Sequence, residues 1–474
     1  MADRQPKKLV FCFDGTSNTL DIPNPTNVVI TAAAVRNTSK TGPQIVYYDE
    51  GVGSTKKDNF LGGTVGAGLY DKVIEGYKFL VFNYEPGDEI FIFGFSRGAY
   101  TARAFAGLVH HIGVVNSCFA DKIKVATALY RNRNEADLPD EIQRFRCEFA
   151  PDVCASPEDL EWRAANVQGF DPAAATVVHI RYIGVWDTVK SIGDPLLGDQ
   201  DDDGEYDAAE FYDHDLRASV HSARHAIALD ERRKKFNVTP WDNIDQLNEG
   251  RGFKVDDPER PFQQLWFPGG HGSVGGGGDI KGLSDEGLEW VLEGAKRAGL
   301  ALDVGAHSKV WAVRPDVLVP LENSSEKSWH PRDVAMRMLS KKDRDGPSFL
   351  HEVAQATIVR WGAPVDALPE GKRYRPPSLR DLEAQLDQAA RFDTWEYDIR
   401  GGYAEPGAVI SNVRTSDGRE FRRYVVKPAD SLSKIAKALL GDPKREGEIL
   451  ALNRTTIMDP ARIYAGQVLN VPLA

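Results

Sequence analysis

An α/β fold with a mainly parallel sheet covered on both faces is predicted by three observations. Short, continuous apolar runs of strand length recur along the chain, stretches with apolar residues at helical spacing separate them, and several of the runs stop abruptly at polar or glycine-rich loops. Continuous apolar runs mark strands buried on both faces, and parallel neighbours need helical crossovers between them.

The first run is Lys8 to Phe13 (KLVFCF), ending in Asp14-Gly15-Thr16, and Ile45 to Tyr48 follows as a second buried strand. Leu69 to Asn83 carries apolar residues at helical spacing, and Glu85-Pro86-Gly87-Asp88 then turns the chain into a strand over Glu89 to Phe93. Arg97 to Val109 is rich in small, helix-compatible residues, so Phe95-Ser96 joins strand to helix. Thr176 to Trp186 is a further strand ending at Asp187, His225 falls on an expected helix, and Phe262 to Phe267 leads into a glycine-rich loop around His271. Residues 118–170, helical and polar, and residues 305–410, mixing charge, Pro and Trp without period, are expected to be insertions forming a cap or lid.

A chain of 474 residues exceeds what one hydrophobic core usually serves. The composition changes near Tyr424, so the expected division is one large unit over 1–410, a linker over 411–422 and a small module over 423–474. The net charge of −12 repels polyanions and no Lys/Arg stripe is present, so nucleic acid is not an expected partner. Met1 to Val10 is short and charged, and the apolar run after it breaks at Asp14. Neither a signal peptide nor a spanning helix is expected there, which implies synthesis in the cytoplasm and any export by a route without a cleaved signal. The four cysteines, Cys12, Cys118, Cys147 and Cys154, lack zinc-ligand or C-x-x-C spacing and read as reduced thiols.

Gly94-Phe95-Ser96-Arg97-Gly98 matches G-x-S-x-G between a predicted strand and a predicted helix, the context that gives this motif its chemistry. A serine on such a sharp turn projects its hydroxyl above the sheet, and flanking glycines let neighbouring elements approach. The fold class is therefore α/β-hydrolase-like, with Ser96 as nucleophile. In that fold an acid and then a histidine follow the serine at the ends of later strands, which selects Asp187 and His271. The glycines around His271 are expected to make a flexible loop that lets the imidazole reach a neighbouring strand end. The oxyanion donors expected are the amide of Arg97 and an amide of the early loop, Gly15 or Thr16. The chemistry requires no cofactor.

Asp199 to Glu210 satisfies D-x-D-x-D-G-x5-E, which offers Asp199, Asp201, Asp203, Glu205, Asp207 and Glu210 as oxygen ligands for a structural calcium ion. A solvated acidic loop is the alternative reading. Such an ion, this close to Asp187, would order the loop that carries the acid.

From Tyr424 onward the order strand, helix, helix, strand, with D-S-L at Asp430-Ser431-Leu432, Asn453 in I-x-x-x-N, and Gly466-Gln467-Val468-Leu469-Asn470-Val471-Pro472, resembles a LysM domain over its whole length. The usual glycine before the Asp is absent in Lys427-Pro428-Ala429-Asp430. The resemblance implies binding of peptidoglycan or another N-acetylglucosamine glycan, with Asp430, Ser431, Leu432 and Asn453 as candidate contacts. Phe13-Asp14-Gly15-Thr16, Tyr48 to Gly53, Tyr84 to Asp88, the run from Gly94 to Arg103 and Gly184 to Val189 together resemble the catalytic domain of type VI secretion phospholipase effectors of the first lipase family, over roughly residues 8–300. Where that family usually has an acidic residue two places after the histidine, this chain has Ser273.

The resemblance implies a Ser-Asp-His lipase or esterase acting on envelope lipids of a target cell, with the triad on Ser96, Asp187 and His271 and with secretion-apparatus proteins as partners. Two other functions fit the same residues. One is an inactive hydrolase fold that docks on the envelope through its LysM module; the other is a cytosolic esterase acting on non-lipid esters.

Overall fold

The computed structural model describes residues 4–15, 20, 23–51, 65–134, 138–189, 215–217, 219–305, 308, 311–324, 342–393, 409–414, 420–427, 430–453, 463 and 468–473. Seven strands build the main sheet: β1 (Lys8–Phe13), β2 (Thr38–Ser39), β3 (Gly42–Asp49), β4 (Glu89–Phe95), β5 (His179–Trp186), β6 (Ala223–Ala228) and β7 (Phe262–Phe267). Their spatial order is β2-β3-β1-β4-β5-β6-β7, and every pairing is parallel except β2 with β3.

Pleating explains why the apolar runs are continuous. In β1, Leu9, Phe11 and Phe13 enter one core with Val73 and Tyr77 of α2 (Val65–Asn83) and Phe105 of α3 (Arg97–Ile112). Val10 and Cys12 enter the opposite core with Val28 and Ile30 of α1 (Asn27–Ala34) and Leu288 and Val291 of α4 (Gly282–Arg297). Successive side chains point to opposite faces, so burial on both sides demands an apolar residue at every position.

The crossover after β1 (α1) lies on one face and the crossover after β4 (α3) on the other, although β1 and β4 are neighbours. Strand order reverses there, and the diverging crossovers leave a crevice at the carboxyl ends of these two strands.

Three elements differ from the sequence expectations. His225 lies on strand β6 and not on a helix. The sequence of β6, ARHAIA, is poor in β-branched and aromatic residues, yet all six are buried between β5 and β7. Placement outweighs an intrinsic preference whose whole range is about 1 kcal/mol. The run Thr176 to Trp186 splits, with β5 in the main sheet and Thr176–Val177 paired to Val153–Cys154. Part of the expected linker is a strand: Val409–Arg414 pairs antiparallel with Glu420–Val425, which pairs with Val468–Pro472.

The insertions thicken the flanks. Ile123–Arg131 and Leu138–Phe149 add Ile123, Leu129, Ile142 and Phe145 to the core of α2 and α3. Residues 350–393 pack Ile358, Trp361, Leu379 and Leu386 against Ile227 and Trp266, while Ala354 N–H and the Thr357 hydroxyl donate to the Trp266 carbonyl. This helical layer covers the outer edge of β7, whose backbone would otherwise be an open template for another chain.

In the small module, helices Leu432–Leu440 and Glu446–Leu452 close over the three strands around Tyr424, Ile435, Ile449 and Leu469. The Ser431 hydroxyl caps the first helix by accepting from Lys434 N–H. Among the described residues, no helix is long and apolar enough to cross a membrane.

Candidate active site

The elbow between β4 and α3 is built by its two glycines. A Cβ on Gly94 would lie 2.5 Å from the Gly98 carbonyl oxygen and 2.7 Å from Ala99 Cα, and a Cβ on Gly98 would collide with the backbone oxygens of Phe13 and Asp14. Only hydrogen at both positions lets the first turn of α3 fold back on β4 and lie against the end of β1. Ser96 takes φ 59° and ψ −126°, a conformation that L residues adopt only under constraint from their surroundings. It occupies the N-cap of α3 without capping it. A capping hydroxyl is worth about 1 kcal/mol to a helix, and here it is directed elsewhere.

Its partner is His271. The Ser96 hydroxyl lies 2.8 Å from His271 Nε2, and His271 Nδ1 lies 2.6 Å from Asp187 Oδ2. With the Nδ1–H donated to the Asp187 carboxylate, Nε2 is left to accept from the serine. Asp187 follows β5 at φ 39°, fully buried, with its Oδ1 accepting the Ala228 N–H at 2.9 Å. Burial alone would push its carboxyl up, but the Arg344 guanidinium and then the hydrogen bond from His271 outweigh burial and hold it far below the ordinary carboxylate range. His271 is held between Phe95 and Phe236, with ring centroids 4.6 and 4.8 Å away. Burial lowers its pKa, opposed by Asp187 and by Glu231, which accepts the His271 backbone N–H at 3.2 Å.

The glycine-rich segment at His271 is tightly held. His271–Gly275 is a short helix, a Cβ on Gly275 would enter the Phe95 ring, and the Ser273 hydroxyl donates to the Leu321 carbonyl. Close packing is what the glycines provide here. His225 is buried as well, its Nε2 accepts the Thr188 N–H at 3.2 Å, and burial followed by the nearby Arg103 lowers its pKa to about 3. It is a neutral buttress under the strand end.

The early loop departs from expectation at Gly15. Its N–H donates to Asp14 Oδ1 at 2.6 Å, while Asp14 Oδ2 accepts from the hydroxyls of Thr26 at 2.6 Å and Tyr48 at 2.9 Å. An amide committed to a carboxylate is not an oxyanion donor, so Gly15 is withdrawn from that role. Thr16 lies outside the described residues, and Arg97 is at the first position of α3, next to Ser96. Beside the elbow, Asp14, Asp49, Glu50, Lys72 and Arg97 line a charged cleft in which Lys72 pairs with Asp49 at 2.8 Å.

The acidic stretch with Asp199, Asp201, Asp203, Glu205, Asp207 and Glu210 lies outside the described residues. In the small module the candidate glycan contacts are occupied by the fold. Leu432 and Asn453 are each 2% exposed, and Asn453 Nδ2 donates to the Ile449 and Asn470 carbonyls, both at 2.6 Å. Asp430 accepts from the Tyr424 hydroxyl at 2.7 Å and from Lys427 N–H, and Ser431 is the helix cap. Leu432 and Asn453 are therefore corrected to structural residues, because buried side chains with internal partners cannot meet a glycan.

Sequence reasoning missed Arg344, Glu231, Arg233 and Phe236. Glu231 pairs with Arg233 at 2.6 Å, and the Arg233 guanidinium covers the Phe236 ring at 3.7 Å, so these three brace one side of the imidazole.

Residues 7–294 match the family model described as T6SS, phospholipase effector Tle1-like, catalytic domain, and residues 424–472 match the LysM domain. An uncharacterized protein of Saccharomyces cerevisiae is 27% identical over 260 residues, covering 51% of this chain and 34% of that protein. The match thus spans about a third of that relative's length. Among solved structures, the Tle1 effector bound to the VgrG spike of the type 6 secretion system aligns at 16% identity and a TM-score of 0.30, covering 58% of this chain and 52% of that one. An uncharacterized protein from Pseudomonas aeruginosa aligns at 15% identity and a TM-score of 0.31, covering 98% and 75%. With more than half its length matched by one family model, the chain belongs to the Tle1-like phospholipase effector catalytic domain family and carries a LysM domain at residues 424–472.

Proposed function

We propose that this protein is a serine carboxylester hydrolase acting on the esters of envelope lipids, held at peptidoglycan or a related N-acetylglucosamine glycan by its LysM module. The observation that carries the hydrolase reading is the continuous hydrogen-bond chain from the Ser96 hydroxyl through His271 to Asp187, placed at the β1/β4 crevice. Membership of a phospholipase effector family supports lipid esters as the substrate class, delivery into a target cell, and secretion-apparatus proteins as partners.

In this reading the Ser96 oxygen attacks the ester carbonyl carbon while its proton passes to His271 Nε2. Asp187 stabilises the imidazolium that forms. The negative charge moving onto the carbonyl oxygen meets the Arg97 N–H at the positive end of α3, and Thr16 is the remaining candidate for a second donor. Collapse releases the alcohol, which takes the proton from His271 and leaves an acyl group on Ser96. Water, deprotonated by the same imidazole, then frees the acid and restores the hydroxyl. The acidic loop at residues 199–210 would add structural calcium near the acid; full activity and an unchanged Tm in excess chelator would remove that part of the reading.

The test is labelling of the purified chain by a fluorophosphonate, followed by hydrolysis assays on phospholipid vesicles and on soluble short-chain esters. Wild type is expected to label, Ser96→Ala to lose the label, and vesicle lipid to be preferred. A folded wild type that does not label indicates an envelope-binding protein, and equal turnover of soluble esters indicates a non-lipid esterase.

A pH dependence follows from His271. Only the neutral imidazole accepts the serine proton, and burial brings its pKa below the ordinary 6.5. Activity is therefore retained as pH falls through 6.5 and is lost only when the lowered pKa is reached. The acid limb of kcat/KM is expected at a midpoint below that of a free histidine. A midpoint above it would contradict the burial described.

A further inference from the structure

Besides His271, Asp187 is gripped by a residue outside the matched catalytic domain. Arg344 Nη1 lies 2.6 Å from Asp187 Oδ1 and Nη2 lies 3.0 Å from Oδ2, a two-point grip on the carboxylate. The same nitrogens donate to the Ala228 and Phe236 carbonyls, each at 2.6 Å, so the guanidinium is itself fixed to the end of β6 and to the residue whose ring meets His271 edge-on. Its side chain is almost fully buried. The family match ends at residue 294, fifty residues earlier in the sequence.

We propose that Arg344 is a positioning residue of the hydrolytic site, contributed by the segment following the matched domain; this rests on the Ser96-His271-Asp187 reading. Two effects follow from the geometry. First, a carboxylate on a residue at positive φ has its rotamer decided by its partners, and the fork geometry of Arg fixes the carboxylate plane as a single ammonium cannot. That plane aims Oδ2 at Nδ1, which aims Nε2 at the serine. Second, a full positive charge paired to the carboxylate offsets its pull on the imidazole proton, so His271 stays neutral and ready at lower pH.

The charged and titratable groups facing this imidazole are Asp187 at the end of β5, Glu231 and Arg233 after β6, and Ser96 at the elbow, with His225 buried beneath the Asp187 backbone. Arg344 reaches the imidazole only through Asp187, as the cation paired to both oxygens of the triad carboxylate.

The experiment compares full-length wild type, Arg344→Met, Arg344→Lys and Ser96→Ala, reading kcat and KM on a soluble short-chain ester across pH, fluorophosphonate labelling, and Tm. Arg344→Met is expected to lower kcat by about 10- to 100-fold, the scale of a misaimed catalytic group, with KM within about twofold. Its acid limb should move up from the wild-type position, because the pull of Asp187 on the imidazole proton is then opposed only by burial and Arg233. Arg344→Lys should restore the limb, since its charge remains, while recovering kcat only partly, since the fork is lost. A folded Arg344→Met with wild-type kcat and limb overturns the proposal. Where Arg344→Met has no cooperative unfolding transition, Arg344→Lys decides: wild-type kcat in that variant overturns the two-point role, and a partial loss with an unmoved limb supports it. Labelling separates the two readings. A wild type that labels at Ser96 alongside an unaffected Arg344→Met removes only Arg344, whereas a Ser96→Ala variant as active as wild type removes the triad itself.

Discussion

Ser96→Ala is expected to lower kcat/KM on any accepted ester by about 10⁴-fold or more, and combining it with His271→Ala is expected to add almost nothing. A factor of 10⁴ corresponds to about 5 kcal/mol of lost transition-state stabilisation. No ordinary packing or capping change at this site reaches that size, because Ser96 caps no helix and its hydroxyl partner is the imidazole. The non-additivity carries the information. If the serine oxygen is the attacking atom and the imidazole removes its proton, deleting either one removes the same step, and the second deletion has nothing left to remove. Were His271 acting elsewhere, for example as a base on water attacking directly, the losses would multiply. The measurement is steady-state kinetics of both single variants and the double variant on one soluble ester, with circular dichroism to establish that each is folded. Multiplying losses would replace the nucleophilic reading with a general-base one. Asp187→Asn belongs to the same set, since an amide facing His271 Nδ1 at 2.6 Å can favour the wrong tautomer and leave Nε2 protonated toward the serine.

These three residues are legible in the sequence because each leaves a local mark. Ser96 lies between glycines at a strand-to-helix turn, and Asp187 and His271 each follow a strand-length run ending in large apolar residues, Val185-Trp186 and Leu265-Trp266-Phe267. The sheet itself is legible wherever a strand carries large side chains. It is not legible at β6, whose residues apart from Ile227 are short or polar and become a strand only because β5 and β7 are there to pair with them. Gly15 illustrates a different limit, since sequence shows that its backbone can approach a ligand but not that the Asp14 carboxylate has already taken its amide.

Arg344 leaves no signal at all. It stands in Lys342-Asp343-Arg344-Asp345-Gly346, a charged stretch without period, and the Lys342 and Asp345 side chains are 69% and 98% exposed. Nothing in composition separates one guanidinium that turns inward from neighbours that face solvent. In the LysM module the mismatch runs the other way, because Asn453 belongs to a recognisable signature whose physical basis is the joining of a helix end to the closing strand. A motif can mark the fold of a binding module without marking its binding surface.

Gly98→Ala is expected to lower Tm by at least about 5 °C and to slow fluorophosphonate labelling severely, and Gly98→Val to prevent folding of the catalytic unit. Gly98 has helical backbone angles, so the substitution carries no conformational penalty and in an open helix Ala would stabilise by about 0.5–1 kcal/mol. Its cost is steric. The new methyl would meet the carbonyl oxygens of Phe13 and Asp14 inside van der Waals contact, and those oxygens belong to the end of β1, buried on both faces between β3 and β4. A strand locked by two ladders and two cores cannot retreat, so the start of α3 must move instead. Moving it withdraws Arg97 N–H and turns Ser96 away from His271, which couples stability and reactivity at one atom. Gly250→Ala is the control, because that glycine ends a short helix with no atom within 4 Å of an added Cβ, and it should leave Tm and labelling unchanged or slightly improved. Thermal unfolding and labelling rates of both variants make the comparison. A Gly98→Ala protein as stable and as reactive as wild type would mean that α3 does not lie against the end of β1, and the strained elbow would then need another explanation.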